Sequence, residues 1–223
     1  FDYETEQSID IVVTATSADG SSSNQTFTLA VTDVNESGVS AISDTDATLD
    51  AVDENSAIGT SVGVTAFASD ADGTDSVTYS LSNSAGGLFA IDPNTGEVTV
   101  AGALDRETAA SYDIEVTATS TDGSTSTKTF TIALNDQDEF DVSAVTDSDA
   151  SANSLAEDAA AGTAVGVVAS ASDADATTNT ITYSVDDSRF TVDPDGTVRV
   201  ASGASFDYET EQSIDIVVTA TSA

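Results

Sequence analysis

The sequence predicts an all-β chain built of tandem β-sandwiches. Three observations carry this: apolar residues alternate with a period of two, turn signals recur at short intervals, and a unit of about 103 residues repeats. Residues 1–18, FDYETEQSIDIVVTATSA, return unchanged as residues 206–223, and a diverged copy, LDRETAASYDIEVTATSTDG, runs from Leu104 to Gly123. Asp2 to Asp105 is a shift of 103 and Asp105 to Asp207 a shift of 102, so two alternating versions make a longer period of 205. Glu54 and Glu157 stand 103 apart, as do Asp70 and Asp173, and Asp72 and Asp175. Junctions fall after Asp33-Val34-Asn35-Glu36 and after Asp136-Gln137-Asp138-Glu139. Residues 1–36 are therefore expected to be the C-terminal strands of a truncated repeat, 37–139 a complete repeat, and 140–223 a repeat lacking its last strand. Only five residues separate Leu134 from Phe140, with no Gly-Ser or Pro-rich stretch, too few for a flexible tether. Successive repeats are expected to abut.

Taken in chain order, the complete repeat reads as strands throughout. The segments GTSVGVTAF, VTYSL and FAIDPNTGEVTV are rich in β-branched and aromatic residues. Turn signals separate them: Asp72-Gly73, then Asp92-Pro93-Asn94-Thr95-Gly96, with Asp193-Pro194-Asp195-Gly196 at the matching place one repeat later. Tyr112, Ile114, Val116 and Ala118 alternate with polar neighbours, and after Asp122-Gly123 so do Phe130, Ile132 and Leu134, which marks two half-buried strands. Phe89, Phe130, Tyr79 and Tyr112 fall on core positions of this pattern. No segment of a dozen residues shows apolar spacing of three and four. About seven short strands per roughly 100 residues make an immunoglobulin-like Greek-key β-sandwich.

Composition narrows the chemistry. The chain holds 40 Asp and Glu against 4 Lys and Arg, a formal net charge of -36, with no His, Cys, Met or Trp. It has no imidazole for acid–base work near neutral pH, no thiolate, no disulfide and no soft metal ligand. So few basic residues argue against nucleic acid and against anionic membrane surfaces. No apolar run approaches the roughly 18 residues of a membrane helix. At 39% hydrophobic, the chain still has material for a core. What such a charge attracts is cations.

The carboxylates are ordered. Each repeat has an early Glu (Glu54, Glu157), an Asp-x-Asp (Asp70 and Asp72, Asp173 and Asp175), an Asp-x-Glu (Asp2 and Glu4, Asp105 and Glu107, Asp207 and Glu209) and an acidic junction. Gathering such groups costs several kcal/mol in repulsion and desolvation unless a cation is present. Oxygen ligands in excess, without nitrogen or sulfur, favour calcium, which accepts six to eight oxygens in irregular geometry. Asp44, Asp46, Asp147 and Asp149 also recur at the shift of 103 and are not assigned to the metal-ligand set.

The order VDEN, then Asp-x-Asp, then LDRE, then an acidic junction resembles the cadherin repeat. The Ser, Thr and Asp-rich texture resembles the cadherin-like repeats that extend large bacterial surface adhesins of the RTX type. The resemblance implies calcium ions between successive repeats, with ligands from both sides. At the first junction these would be Asp2, Glu4, Asp33, Val34, Asn35, Glu36, Asp70 and Asp72. At the second they would be Glu54, Asp105, Glu107, Asp136, Gln137, Asp138, Glu139, Asp173 and Asp175, with Glu157, Asp207 and Glu209 serving a third. The family's connector reads Asp-x-Asn-Asp-Asn, from which both junctions here depart, and the late-strand Asp of the outermost site is Ser17 or Ser120. Asp19 or Asp122, two residues on, is the alternative ligand or a hairpin turn. The implied function is a calcium-stiffened extracellular spacer at a bacterial surface, serving biofilm-type adhesion, with no catalysis and no small-molecule substrate. Its partners would be neighbouring repeats and, by head-to-tail strand complementation, further copies of the chain. A carbohydrate-binding module, a homophilic adhesion module, a glycosidase with paired carboxylates, and acidity as a salt adaptation are the other readings.

Overall fold

The computed structural model describes residues 1–222 and contains strands but no helix. It divides into two compact units, Phe1–Asn135 and a second that begins at Asp136. No helix is long and apolar enough to cross a membrane.

The first unit opens with a hairpin, β1 (Ser8–Thr16) and β2 (Ser22–Ala30), paired in register from Ser8↔Ala30 to Thr16↔Ser22. The sandwich follows with β3 (Ser43–Asp44), β4 (Ala51–Asp53), β5 (Ser61–Phe67), β6 (Val77–Asn83), β7 (Phe89–Ile91), β8 (Glu97–Val100), β9 (Ser111–Ser120) and β10 (Thr125–Asn135). One sheet has the order β4-β10-β9-β6, the other β3-β5-β8-β7. The expected seven strands become eight segments because the first strand is divided between the sheets. Its early part, β3, pairs β5, and its later part, β4, runs parallel to β10 with Ala51 opposite Ala133.

Between the sheets lies the core that the alternation predicts. Val62, Val64, Val98, Ile114, Val116, Ala118 and Ile132 are fully buried, and Phe89, Phe130 and Tyr79 are buried with them. Phe89 meets Tyr112 edge to face, with ring centroids 6.1 Å apart. Phe89, Phe130 and Tyr79 are thus committed to the core, while Phe1, Phe27, Phe67, Phe140 and Tyr208 are exposed.

Tyr79 also fixes the loop after β5. Its hydroxyl accepts from the Ala68 N–H at 2.9 Å and donates to the Ala68 carbonyl at 3.2 Å, two residues before Asp70. Tyr183 accepts from the Ala171 N–H at 3.0 Å in the second unit. The β7–β8 turn needs Gly96, whose φ is 75°, and a Cβ there would stand 2.0 Å from the Ala66 carbonyl oxygen. Gly196 repeats the arrangement against Ala169.

The second unit contains β11 (Thr146–Asp147), β12 (Ala164–Ser170), β13 (Ile181–Val185), β14 (Phe190–Val192), β15 (Thr197–Val200) and β16 (Val218–Ser222). Its sheets are β11-β12-β15-β14 and β13-β16. Identical sequence takes different structure in the two units. Ser8–Thr16 is strand along its whole length, paired to β2, while residues 213–217, the copy of residues 8–12, lie outside any strand. A strand is defined by its partner, and residues 213–217 have none of the ladder that β10 gives β9. In place of that ladder is a cleft of about 820 Å³, lined by Val145, Val165, Val167, Phe190, Phe206 and Ile214 among others.

Replacing Ile132 by Ala removes a fully buried side chain and should lower the stability of the first unit by about 2–5 kcal/mol. Gly96→Ala should cost at least about 1–3 kcal/mol from backbone strain alone. Chemical denaturation measures both, and a Gly96→Ala chain as stable as the parent would contradict the turn geometry.

Candidate metal centre

In the first unit, three segments bring carboxylates together: the turn at residues 2–6, the connector after β2, and the loop between β5 and β6. The turn closes through Thr5 and Glu6 N–H groups donating to the Asp2 carbonyl, and Asp2 Oδ1 accepts from Glu4 N–H at 3.1 Å. Glu4 Oε1 accepts from the Gly73 N–H at 2.9 Å, joining turn to loop. Asp72, buried at 3% exposure, accepts from the connector at Glu36 N–H (3.3 Å) and Ser37 N–H (2.9 Å). Thr74 Oγ1 donates to Asp33 Oδ2, a second tie between loop and connector.

These ties draw acidic oxygens into two groups. One oxygen each from Glu4, Asp33 and Glu36 lies within 4.8 Å of the others, and the same holds for Asp70, Asp72 and Asp75. Asp2, Glu4, Glu36 and Asp72 line a hollow of about 420 Å³. Partial desolvation, followed by the charges of Glu4, Asp72, Asp33 and Asp2, pushes the Glu36 carboxyl above its ordinary pKa. Asp33 Oδ1 and Asp70 Oδ2 are buried and have no hydrogen-bond partner. A buried acceptor left in that state costs about 1–3 kcal/mol, more when charged.

Side-chain cations do not offset this charge. The ion pairs among the described residues are Arg189 with Asp187 and Glu211, and Arg199 with Asp193. Lys128 lies over the Phe130 ring, 4.6 Å from its centroid. An all-oxygen donor set with buried, unpartnered carboxylate oxygens fits a hard divalent cation.

Asn35 and Asp122 belong to the same surroundings, with Asn35 Nδ2 donating to Asp122 Oδ2 at 2.8 Å. Asp122 also caps its hairpin by accepting from Ser124 N–H at 2.7 Å, which is the turn role expected of it. Val34 is exposed. Also in the first unit, buried Glu54 accepts from the Arg106 N–H, and Asp105 accepts from Thr108 N–H and Oγ1 at 2.9 and 2.8 Å, one residue either side of Glu107.

The second unit repeats these ties. Thr177 donates to Asp136 as Thr74 does to Asp33. Asp175, 1% exposed, accepts from Glu139 N–H at 3.1 Å and Phe140 N–H at 3.3 Å, and from Asp173 it is one residue removed as Asp72 is from Asp70. Partial desolvation, then the charges of Asp175, Asp173 and Asp141, raises the pKa of Asp138. Gln137 Nε2 donates to the Asp136 carbonyl at 2.9 Å. Glu157 accepts from the Tyr208 N–H at 2.9 Å and forms a carboxylate group with Asp207 and Glu209. Sequence reasoning missed Thr74, Thr177 and Asp75. The threonines recur at the shift of 103 and were findable, whereas Asp75 has no acidic counterpart.

Asp44 and Asp46 take other work. Asp44 Oδ1 accepts from Asp46 and Thr65 N–H groups, and Asp46 Oδ1 from Thr48 N–H and Oγ1, which are turn bonds.

Residues 51–135 match the family model for the cadherin domain. Rat Cadherin-17 is 38% identical over 125 residues, which is 52% of this chain and 14% of that protein. Human Protocadherin Fat 4 is 43% identical over 93 residues, 41% of this chain and 2% of that protein. The chain thus spans a small fraction of either relative. Among solved structures, mouse Cadherin-23 EC22-24 superposes with a TM-score of 0.66 at 26% identity, covering 90% of this chain and 66% of that one. PcdhgB3 EC1-4 gives 0.74 at 26% identity, covering 100% and 55%. Residues 51–135 thus match a cadherin domain, and the chain shares the β-sandwich fold of these solved cadherin structures.

The raised pKa of Glu36 sets a pH response. A carboxyl whose pKa is higher folded than unfolded binds its proton more tightly in the folded state, so the folded state gains stability as pH falls through that value. The carboxylates held low, such as Asp92, Asp105 and Asp122, lose stability only as pH drops below about 4. In chelator, the thermal midpoint of the first unit should rise between pH 7 and about 5, and Glu36→Gln should flatten the rise. A midpoint that falls over that interval would contradict the cluster's electrostatics.

Proposed function

We propose that this chain is a calcium-stiffened spacer of a bacterial surface adhesin, in which tandem cadherin-like repeats hold a terminal binding region away from the cell. The observation that carries the calcium reading is the pair of buried, unpartnered oxygens, Asp33 Oδ1 and Asp70 Oδ2, within a set of carboxylates that no basic side chain neutralises. Asp2, Glu4, Asp33, Glu36, Asp70 and Asp72 would hold the metal at the first junction. The residues at the shift of 103 are assigned the same role at the next. Calcium, when bound, neutralises and bridges carboxylates from the turn, the connector and the loop. The protein's own contribution is placement: Thr74 orients Asp33, the Gly73 N–H orients Glu4, and Asp72 fixes the connector backbone.

A spacer role is supported by the regular 103-residue unit and the short acidic junctions. A bacterial, secreted setting is supported by the Ser, Thr and Asp-rich, cysteine-free composition. A catalytic reading is disfavoured because the carboxylate sets repeat with every unit. Extracellular modules of this kind bind calcium with dissociation constants of about 0.1–1 mM. Small-angle scattering should give a longer maximum dimension in millimolar calcium than in chelator. Asp33→Asn should raise the calcium concentration needed for the change, and an unchanged dimension in the parent chain would sink the proposal.

A second copy of the chain is the further partner, and the cleft of the second unit favours it. In the first unit the corresponding place is filled by β10, which buries Phe130, Ile132 and Leu134. Strand β2 carries the same spacing in Phe27, Leu29 and Val31, with Phe27 and Leu29 about half exposed. Because residues 1–18 and 206–223 are identical, β2 of one copy can exchange its ladder with β1 for the same ladder on residues 213–221 of another. The exchange buries the exposed halves of Phe27 and Leu29 at a gain of about 1 kcal/mol each. Sedimentation of the 223-residue chain in calcium should show concentration-dependent head-to-tail oligomers that Leu29→Asp abolishes. A strict monomer at high concentration excludes the exchange between copies.

A further inference from the structure

We infer that Asp75 is a metal ligand, completing with Asp70 and Asp72 an outer calcium site that the second unit lacks. This rests on the calcium reading above and adds a residue and an asymmetry to it.

Three observations converge on Asp75. Its carboxylate comes within 4.8 Å of those of Asp70 and Asp72, and Asp70 Oδ2 is one of the buried oxygens with no partner. Backbone and side chain both hold it there: its N–H donates to the Asp72 carbonyl at 3.1 Å, and Thr121 Oγ1 donates to its Oδ1. The third observation is Ser120, which is 3% exposed and whose Oγ is buried without a partner.

Ser120 closes β9 on its inward face, in line with Ile114, Val116 and Ala118, and stands opposite Val77, two residues after Asp75. In the second unit the equivalent serine, Ser222, donates its hydroxyl to the Thr178 carbonyl at 2.7 Å and also lies against the Asp173 carboxylate, lowering its pKa. Thr178 and Asp173 are the counterparts of Asp75 and Asp70, so there the late-strand serine looks toward the Asp-x-Asp loop, whereas Ser120 lies beside Asp122.

A serine hydroxyl at that place is neutral and short, and leaves the Asp-x-Asp pair one carboxylate poorer than an aspartate would. In the first unit Asp75 supplies the missing charge from the neighbouring loop. In the second unit the counterpart is Thr178, whose Oγ1 is buried and unpartnered, while Thr177 does the work of Thr74. The two alternating versions of the repeat therefore differ in the number of ions they hold. Along a longer array, fully and partly loaded junctions would alternate with the 205-residue period.

Calorimetric calcium titration of the 223-residue chain, with terbium luminescence as a second readout, tests this. Asp75→Asn should lose one bound ion per chain and leave the remaining sites unchanged, with circular dichroism in chelator confirming an intact fold. Thr178→Asp should gain one ion, and it decides the matter if Asp75→Asn fails to fold. Loss in Asp75→Asn without gain in Thr178→Asp upholds the ligand and overturns the asymmetry. Parent stoichiometry in both variants overturns the inference while leaving the calcium reading intact, and a parent chain that binds no calcium overturns both.

Discussion

The constraint on which the rest of this structure depends is that 40 carboxylates must find donors in a chain with four basic residues. Most find them in the backbone. Asp19, Asp46, Asp92, Asp122 and Asp195 each accept N–H groups two or three residues on, and each has its pKa lowered chiefly by hydrogen bonds from those same neighbours. An aspartate used this way fixes a turn without needing a cation. What is left over is concentrated around the connectors, where Glu36 and Asp138 are raised by desolvation and by other carboxylates. The net charge of -36 is therefore two populations. One is neutral in effect because the backbone solvates it, and the other stays frustrated until something positive arrives.

Much of this could be read from residues alone, because the information is local and repeated. Alternation places Phe130, Ile132 and Leu134 inward, and the structure buries all three. The shift of 103 pairs Asp72 with Asp175, and both prove to be buried acceptors for their connectors. What was not legible is whatever depends on a partner strand or on packing. The same sequence is a nine-residue strand at Ser8–Thr16 and only partly strand at its second occurrence, since pairing supplies what propensity cannot. Nor does the sequence distinguish Asp75 from the surrounding surface aspartates, because its significance comes from Thr121 across the sheet end and from the nearby carboxylates of Asp70 and Asp72.

Sandwich and site share parts. Tyr79 binds Ala68 through both backbone groups, so the core aromatic that closes the sandwich also sets where the Asp-x-Asp loop departs. Ser120 ends a strand whose preceding inward residues are Ile114, Val116 and Ala118. Displacing the core would move the carboxylates, and the conserved spacing of core and acidic positions within both versions of the repeat follows from that coupling.

The connector hydrogen bonds bear on how a metal would act. Asp72 already holds Glu36 and Ser37, Thr74 already holds Asp33, and the Gly73 N–H already holds Glu4. These bonds are neutral-donor contacts that do not depend on a cation, so the three segments are assembled before any ion binds and little ordering entropy remains to be lost. The free energy of binding then goes mainly into relieving repulsion among Glu4, Asp33, Glu36 and Asp72 and into satisfying Asp33 Oδ1 and Asp70 Oδ2. Calcium bound as proposed would switch the junction from a strained but assembled state to a relaxed one. Because relief of repulsion weakens as salt screens the carboxylates, that difference is largest in dilute electrolyte and smaller in brine, where exposed charges beyond about 3 Å are screened at 1 M. The buried, unpartnered oxygens are screened far less, so any preference they confer for a bound ion would persist at high ionic strength.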